Sequence, residues 1–384
     1  MDKKAKINVV GVGGGGTNAV NRMIEAGLSG VDFCVMNTES QALEKALAER
    51  KLQLGESLTH GLGAGGNPTV GQNAAEESKN DITKALEGSN LVFISAGMGG
   101  GTGTGAAPVI ARIARELKAL TIAVVTKPFK FEGPRRLQIA LDGVEQLRQN
   151  VDALIVVPNE RLLTVAEKRT TLLDAFRMAD EILAQGVRGI SDIITVTGLV
   201  DVDLHDVETV MSGAGPALMG IGVGRGEHKA REAAEAATRS PLMETPIEGA
   251  RRVLLNVTSG PDFSLQELAE ATSIIEQFCD QKDNLTIYGH VFDETMEDEV
   301  RITVLAAGLP GMLAGDAAVP SFPLEGRRSE PAAAQAPAPT AAAPQPSAAK
   351  PATSSRPAES AAANDYDIPA FLRRSRQNGG QSND

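Results

Sequence analysis

The segment AGMGGGTGTGA, Ala96–Ala106, decides how the first half of this 384-residue chain folds. It holds six glycines within residues 97–105, directly after the apolar run Leu91–Ser95 and directly before an alanine-rich helical pattern. Glycine at this density costs conformational entropy on folding, so it requires a reason such as positive φ or close approach of the backbone to another group. A flexible loop is the plain alternative. The residues that flank a flexible linker are usually hydrophilic, however. This segment lies instead between a predicted buried strand and a predicted helix.

A second glycine segment, GVGGGGTN at Gly11–Asn18, follows the first predicted strand. Each segment opens a predicted helix, where backbone N–H groups are free and the helix dipole favours an anion. Two such segments facing one crevice predict a ligand with several phosphates. No lysine follows either glycine run. The Walker-type phosphate site is therefore absent, and backbone amides, a metal ion and Arg136 would balance the phosphate charge.

The composition narrows the class of protein. Hydrophobic residues make up 42% of the chain, as in a globular protein. The net charge of −12 argues against nucleic acid as a partner, because nucleic-acid-binding proteins usually carry a basic face. Cys34 and Cys279 lie in apolar patterns and are expected to be buried, reduced thiols. With no signal-like start and no apolar run of about 18 residues, we expect a cytoplasmic chain with no direct membrane insertion.

Apolar runs and helical patterns alternate over residues 7–157 at the spacing of βαβ units. This predicts an α/β fold whose first domain is a parallel-sheet nucleotide-binding domain with helices on both faces. Apolar residues at three- and four-residue spacing over 170–194 predict one long central helix, and further alternation predicts a second smaller α/β domain. The predicted strands are 7–10, 33–36, 91–95, 121–126, 154–157, 217–223, 253–258, 285–291 and 300–306, and the other predicted helices are 18–27, 71–86, 106–118, 134–149, 227–238 and 264–278.

The last part of the chain changes composition twice. Residues 329–363 contain no aromatic residue and no Ile, Leu, Val or Met, so this segment is expected to be a disordered linker. The segment NDYDIPAFLRRSR, 364–376, then restores apolar residues, with Ile368, Phe371 and Leu372 at helical spacing. A disordered tether that ends in a short amphipathic helix is typical of a partner-docking peptide.

The first glycine segment also fits the dinucleotide fingerprint G-x-G-x-x-G through Gly11, Gly13 and Gly16. That pattern would indicate an NAD-binding oxidoreductase. Alone it is a weak signal, and it does not account for the second glycine segment. The acid expected at the end of the second strand is replaced by Asn37-Thr38-Glu39, and no catalytic histidine lies in a clear place.

Six motifs in order resemble the tubulin/FtsZ family of GTPases, in particular its bacterial cell-division members. They are GVGGGGTNAV, GLGAGGNP, GGGTGTG, FKFEGPRR, VDVDLHD and the terminal DIPAFLRR. The resemblance covers roughly residues 5–308 and the last dozen residues before the end of the chain. It implies GTP and GDP as ligands, with Mg²⁺ as the expected metal ion, whose ligands the sequence does not identify.

The resemblance also implies a role for each site residue. The phosphates would be held by Gly14, Gly15, Gly16, Thr17, Asn18, Gly101, Thr102 and Gly103, with residues 63–66 near the γ-phosphate. Glu132 and Arg136 would contact ribose or phosphate, and Asn159 and Asp180 would contact guanine. A carboxylate at Asp180 can accept hydrogen bonds from N1–H and the 2-amino group of guanine together, whereas adenine offers neither donor there. Phe176 lies one turn before Asp180 on the same helix face, where it could pack on the base.

The segment VDVDLHD supplies the candidate catalytic carboxylates Asp201, Asp203 and Asp206. By the resemblance, this loop reaches into the nucleotide site of the next subunit, so GTP hydrolysis would depend on assembly. Carboxylates there could orient the attacking water and help to hold a cation. A turn that merely caps a helix is the alternative. The family usually has Asn where Asp201 stands and Phe-Ala where Leu204-His205 stand, and Glu39 replaces the usual Asp.

The resemblance implies five parts of the chain. These are a GTP-binding domain (1–170), the central helix (171–195), a C-terminal activation domain (196–310), a disordered linker (311–363) and a docking tail (364–384). The expected partners are further copies of the chain in head-to-tail filaments, and membrane-tethering and regulatory division proteins bound through Asp365–Arg374. The expected location is the cytoplasm, at the division site at midcell. A tubulin-like filament of another process, such as plasmid segregation, is the alternative function, and the NAD-binding oxidoreductase is the less favoured one.

Overall fold

The structure is a computed structural model that describes residues 5–167, 169–196, 202–280 and 284–310. Asp201, the predicted linker and the predicted docking tail lie outside the described residues. None of the helices in the described ranges is long and apolar enough to cross a membrane.

All strands of the described residues join one sheet, in the order β3-β2-β1-β4-β5-β6-β7-β10-β8-β9. Their bounds are β1 Ile7–Val12, β2 Asp32–Asn37, β3 Arg50–Gln53, β4 Leu91–Gly97, β5 Leu120–Lys127, β6 Ala153–Pro158, β7 Gly215–Arg225, β8 Arg252–Ser259, β9 Leu285–Phe292 and β10 Glu299–Ala307.

The helices of the described residues cover both faces of this sheet. Their bounds are α1 Gly13–Glu25, α2 Ser40–Glu44, α3 Glu56–Thr59, α4 Pro68–Glu77, α5 Lys79–Leu86, α6 Thr102–Glu116, α7 Pro134–Arg148, α8 Asn159–Val165, α9 Leu172–Thr195, α10 Leu204–Met211, α11 Lys229–Thr238 and α12 Leu265–Glu276.

The first half of the sheet is parallel, as predicted. β1 lies between β2 and β4, with Val9 paired to Phe33 on one side and to Phe93 on the other. Side chains alternate between the two faces of these strands, and both faces are buried. Val9 and Phe93 belong to a core that includes α1 and α9, whereas Val10 and Ile94 belong to a core that includes α4, α5, α6 and α7. The apolar runs are continuous in sequence for this reason.

The second half continues the same sheet rather than forming a separate one. β7 pairs with β6 in parallel through three residue pairs, from Ala153–Gly215 to Ile155–Ala217. β10 then pairs antiparallel with both β7 and β8, and β8 pairs parallel with β9. α11 and α12 cover one face of these strands around a third core. The fold class is therefore the predicted α/β architecture, with one shared sheet that the sequence pattern did not reveal.

The predicted long helix is α9, which lies across the junction between the two halves. It begins with a capping box in which the Thr171 hydroxyl accepts a hydrogen bond from the Asp174 N–H at 3.1 Å. Two of its glycines pack closely on the sheet. A Cβ at Gly186 would lie 2.9 Å from the Val124 side chain of β5, and a Cβ at Gly189 would lie 2.7 Å from the Thr303 side chain of β10.

Several helix bounds differ from the sequence-based prediction. α1 and α6 begin inside the two glycine segments rather than after them, because tertiary contacts outweigh the low helix propensity of glycine there. The helix predicted over 71–86 is divided into α4 and α5 at Ser78, whose φ of −91° and ψ of 14° interrupt the helix. The short elements β3, α2, α3, α8 and α10 were not predicted, since none carries a long periodic pattern.

Asp192 of α9 faces the second half of the molecule, and its environment makes stability depend on pH. Burial raises the pKa of Asp192 to about 6, against the opposing charges of Arg188 and Arg301 and with a further increase from Asp293. Between about pH 4 and pH 6 the folded state therefore holds a proton that the unfolded state has lost. The stability contributed by this group is present below that window and is lost as the pH rises through about 6.

Asp192→Asn should remove this dependence. The free energy of unfolding of the variant, relative to that of the parent, should increase by about 2 kcal/mol between pH 4 and pH 7, because Asn carries no charge to bury. Urea denaturation at several pH values measures both curves. Parallel curves for the two proteins would show that Asp192 titrates normally.

Candidate functional site

A cleft of about 600 Å³ opens at the carboxyl ends of the parallel strands. Its walls include Gly97 from the end of β4, Thr126 from β5 and Asn159, which directly follows β6. Ligands of open α/β sheets bind in this position, because loops and helix N-termini converge at the strand ends. A cleft of this volume is within the usual range for small-molecule sites.

The first glycine segment supplies one wall through Gly14, Gly15 and Asn18. Nothing lies within 4 Å of a Cβ placed on Gly14, so the backbone at this point faces open space in the cleft. The N–H groups in the first turn of α1 have no partner within the helix and are available to an anion. This wall is therefore suited to a phosphate.

Gly16 and Thr17 were predicted to contact phosphate, but they do not line the cleft. Gly16 packs against the sheet, where a Cβ would lie only 2.2 Å from the carbonyl oxygen of Ser95. Thr17 is buried, and its hydroxyl donates to the carbonyl oxygen of Gly13 at 2.7 Å. Gly16 thus lets the start of α1 pack against β4, and Thr17 bonds to the first residue of the same helix.

The second glycine segment supplies the facing wall, from Gly97 to Gly103. Thr102 is the first residue of α6, so the N-terminus of a second helix points into the same cleft. The Thr104 hydroxyl accepts a hydrogen bond from the Gly99 N–H at 2.9 Å, which closes the segment on itself. Residues 63–66 complete this end of the cleft. Three glycine-containing segments therefore surround one volume, as expected for a chain of phosphates.

The other end of the cleft is lined by Asn159, Phe176 and Asp180. Asn159 is 5% exposed, and its Oδ1 atom has no hydrogen-bond partner among the described residues. A buried polar atom without a partner is costly, so this atom fits a ligand that supplies a donor. Phe176 stands edge-on to Phe129 at 5.6 Å between ring centroids. The predicted base-binding residues thus lie together around a partly apolar space, and they fit a nucleobase.

Glu132 and Arg136 lie between the two ends of the cleft and form an ion pair at 3.2 Å. The Glu132 carboxylate also accepts the Phe129 N–H at 2.8 Å. Burial raises the pKa of Glu132 above its ordinary value, while the Arg136 charge and the Phe129 N–H oppose that increase. This ion pair holds the Arg136 guanidinium beside the position where ribose and phosphates would lie.

Four further polar residues line the cleft that were not predicted as site residues: Asn37, Glu39, Thr126 and Arg135. Asn37 ends β2, and its Nδ2 group is buried without a hydrogen-bond partner in the described part of the chain. The position of Asn37 could have been predicted, because it ends a parallel strand and the carboxyl ends of the parallel strands lie together beside the cleft. The sequence placed Asn37-Thr38-Glu39 where a dinucleotide site has its acid and Glu39 where the family usually has Asp, but neither comparison predicted a contact with the ligand.

The predicted catalytic pair, Asp203 and Asp206, does not lie in this cleft. Asp203 is the N-cap of α10, and the two residues form a capping box. The Asp206 N–H donates to Asp203 at 2.9 Å, and the Asp203 N–H donates to Asp206 at 3.2 Å. Both side chains therefore cap a helix, as the alternative interpretation proposed. Each carboxylate still has lone pairs available to another group.

Glycine-rich helix N-termini at the carboxyl ends of parallel strands, opposite a buried base-sized space, define a nucleotide-binding α/β protein. Comparison with known proteins identifies the family. The model of the Tubulin/FtsZ family, GTPase domain, matches residues 6–167, and that of the FtsZ family, C-terminal domain, matches residues 215–310. The chain belongs to the tubulin/FtsZ family of GTPases.

Solved structures agree with this assignment. An empty FtsZ dimer from M. jannaschii is 41% identical, with a TM-score of 0.77 over 81% of this chain and 90% of that chain. An FtsZ point mutant from the same organism is 42% identical, with a TM-score of 0.76 over 80% of this chain and 92% of that chain. CetZ2 from Haloferax volcanii, a GTPγS-bound protofilament, shares the fold at 19% identity, with a TM-score of 0.66 over 78% of this chain and 92% of that chain.

Asp180→Ala should reduce the preference for guanine over adenine nucleotides by about 1–3 kcal/mol, because the donors of the guanine edge would lose their acceptor. Calorimetric titration with GDP and ADP measures the preference. Glu181→Ala, at the exposed neighbouring position of α9, is the matched control and should retain it. Unchanged selectivity in Asp180→Ala would show that guanine is recognised elsewhere.

Proposed function

We propose that this protein is a GTP-dependent, self-assembling GTPase of the bacterial division ring, which hydrolyses GTP where two copies meet. The observation that carries this proposal is the separation between the nucleotide cleft and the Asp203–Asp206 pair. The cleft lies at the carboxyl ends of the parallel strands, and the Asp203–Asp206 pair lies toward their amino ends. A single copy of the chain therefore does not bring the cleft and the carboxylates together.

The path of α9 supports this separation. Asp180 lines the cleft, and Thr195 lies about 22 Å further along the helix at 1.5 Å per residue. Thr195 packs against Gly30, which precedes β2 at the amino end of the strands. α10 ends on the same side, because Arg252, the first residue of β8, donates to the carbonyl oxygen of Ser212, the C-cap of α10, at 2.9 Å.

The start of α10 lies beside the last turn of α9. Val202, which precedes Asp203, and Ile193 of α9 lie 3.2 and 3.0 Å from a Cβ placed on Gly289 of β9.

A second copy stacked head to tail would place its Asp203–Asp206 pair over the cleft of the first. The carboxylates would accept a hydrogen bond from the attacking water and orient it toward the terminal phosphate. The free N–H groups of α1 and α6 and the Arg136 guanidinium would stabilise the charge on the phosphates. Mg²⁺, when bound, would neutralise phosphate charge, and the Glu39 carboxylate in the cleft is a suitable ligand for it. Asp201 would add a further negative charge at this contact.

Self-association is supported by a relative of this chain. The M. jannaschii FtsZ that is 41% identical was solved as a dimer. For the present chain we infer head-to-tail filaments, since the cleft and the carboxylate pair are different surfaces. An interface between unlike surfaces repeats without closing when the rotation between copies does not form a ring.

The division role rests on the FtsZ family C-terminal domain and on the terminal segment DIPAFLRR. We infer that Asp365–Arg374 binds membrane-tethering and regulatory division proteins and that the protein acts in the cytoplasm at midcell. The alternative function is a filament for plasmid segregation, which does not explain the presence of this terminal segment.

A mixing experiment tests the shared active site. Asp206→Ala should bind GTP but hydrolyse almost none, because its own cleft is intact while the carboxylate it presents to a neighbour is absent. Thr102→Arg should bind no GTP but keep Asp206. Mixed together, the two inactive variants should recover GTP hydrolysis, measured as phosphate release. Turnover per chain should also rise with total protein concentration.

Two further variants control for folding of α10. Asp206→Asn retains an oxygen that can accept the Asp203 N–H, so its loss of activity cannot be ascribed to an uncapped helix. Glu208→Ala lies further along the same helix and should hydrolyse GTP nearly as the parent does. No recovery at any mixing ratio, or turnover per chain that stays constant down to dilute monomer, would contradict catalysis across the contact.

Removal of residues 364–384 tests the division role separately. If the predicted linker, residues 311–363, is a random coil as its composition predicts, its root-mean-square span is roughly 40 Å, and tails of neighbouring copies could reach one partner at the membrane. The truncated protein should assemble and hydrolyse GTP like the parent, but should no longer localise to midcell. Light scattering, phosphate release and fluorescence microscopy measure the three properties, and retained localisation would argue against a docking role for this segment.

A further inference from the structure

Thr38 is a polar residue that is fully buried beside the cleft. It directly follows β2, and its hydroxyl lies 2.7 Å from the hydroxyl of Thr102. Its carbonyl oxygen accepts the Gly63 N–H at 3.1 Å and the Thr59 hydroxyl at 3.3 Å. One residue therefore connects the start of α6 with the segment that leads to residues 63–66.

The direction of the Thr38–Thr102 hydrogen bond follows from what the cleft must bind. Each hydroxyl has one proton to donate. Thr102 lines the cleft, whereas the Thr38 hydroxyl has Thr102 as its one hydrogen-bond partner among the described residues. If Thr38 donates to Thr102, the Thr102 proton is available to an anion in the cleft. The opposite direction would turn lone pairs of Thr102 toward a negatively charged ligand, which is unfavourable.

The backbone around Thr38 holds the neighbouring glycine segment in place. Glu39 forms an antiparallel bridge with Leu62, and the Ser40 N–H donates to the Gly61 carbonyl oxygen at 3.0 Å. This short ladder leads directly into residues 63–66, which line the cleft. The orientation of the Thr102 hydroxyl and the position of that glycine segment thus depend on the same residue.

We infer that Thr38 is a positioning residue for phosphate binding, which acts by orienting the Thr102 hydroxyl as a donor to the nucleotide phosphates. The inference rests on the proposed binding of GTP in this cleft. A chain of hydroxyl donors is polarised in one direction, so the bond from Thr102 to phosphate is stronger while Thr38 donates to Thr102. Thr38 itself does not touch the ligand.

A double-mutant cycle on the full-length chain tests this role. Thr38→Val removes the hydroxyl and keeps the shape of the side chain. It should weaken GTP affinity about tenfold, as should Thr102→Val. The double variant should bind no more weakly than Thr102→Val alone, within about twofold, because Thr38 acts through Thr102. A purely structural effect of Thr38 predicts losses that multiply instead.

Two variants complete the design. Thr38→Ser keeps the hydroxyl and should bind GTP as the parent does. Thr121→Val removes a buried hydroxyl of the same kind from β5, away from the cleft, where it donates at 3.0 Å to the carbonyl oxygen of Ala119, which directly precedes this strand. It should leave GTP affinity unchanged. Thermal melting shows whether each variant is folded, and Thr38→Cys, a weak donor of similar size, replaces Thr38→Val if that variant is not.

The outcomes separate this inference from the proposed function. Parental GTP affinity in Thr38→Val, multiplying losses in the double variant, or failure of Thr38→Ser to bind GTP each overturn the positioning role alone. A parent chain that binds neither GTP nor GDP overturns the proposed function and this inference with it. Non-multiplying losses together with rescue by Thr38→Ser establish the role.

Discussion

The close contact between the start of α1 and the end of β4 is the constraint on which the site depends. A side chain at Gly16 would collide with the carbonyl oxygen of Ser95, so the helix can reach this position only with bare backbone. Because of this contact, the first turn of α1 faces the same cleft as the first turn of α6. Two helix N-termini in one cleft provide donors and favourable dipoles for phosphate without a lysine.

The shared sheet and α9 connect the two halves of the molecule. α9 carries Asp180 at the cleft and extends toward the amino ends of the parallel strands, where α10 ends against β8. Because α9 packs on β5, β7 and β10 through Gly186 and Gly189, the two halves cannot separate without opening this packed interface. The distance between the cleft and the carboxylates is therefore a property of the fold rather than of a loop.

Much of this arrangement could be predicted from local patterns. The buried strands of the first half and the long α9 follow from periodicity, whereas the cleft residues Asn159, Phe176 and Asp180 follow from the resemblance to the family. The single sheet could not be predicted, since the pairing of β6 with β7 joins residues far apart in sequence. For the same reason, the positions of Gly16 behind the cleft and of Asn37 within it depend on neighbours contributed by other strands.

Because Asp203 and the nucleotide cleft lie toward opposite ends of the strands, the number of complete catalytic centres depends on how many copies are joined. If each complete catalytic centre takes its cleft from one copy and its carboxylates from the next, a row of n copies contains n − 1 centres. A dimer then has one centre for two bound nucleotides, whereas in a long row nearly every nucleotide lies in a complete centre. One terminal copy always retains a cleft that lacks its partner, so the two ends of a row differ chemically even though every chain has the same sequence.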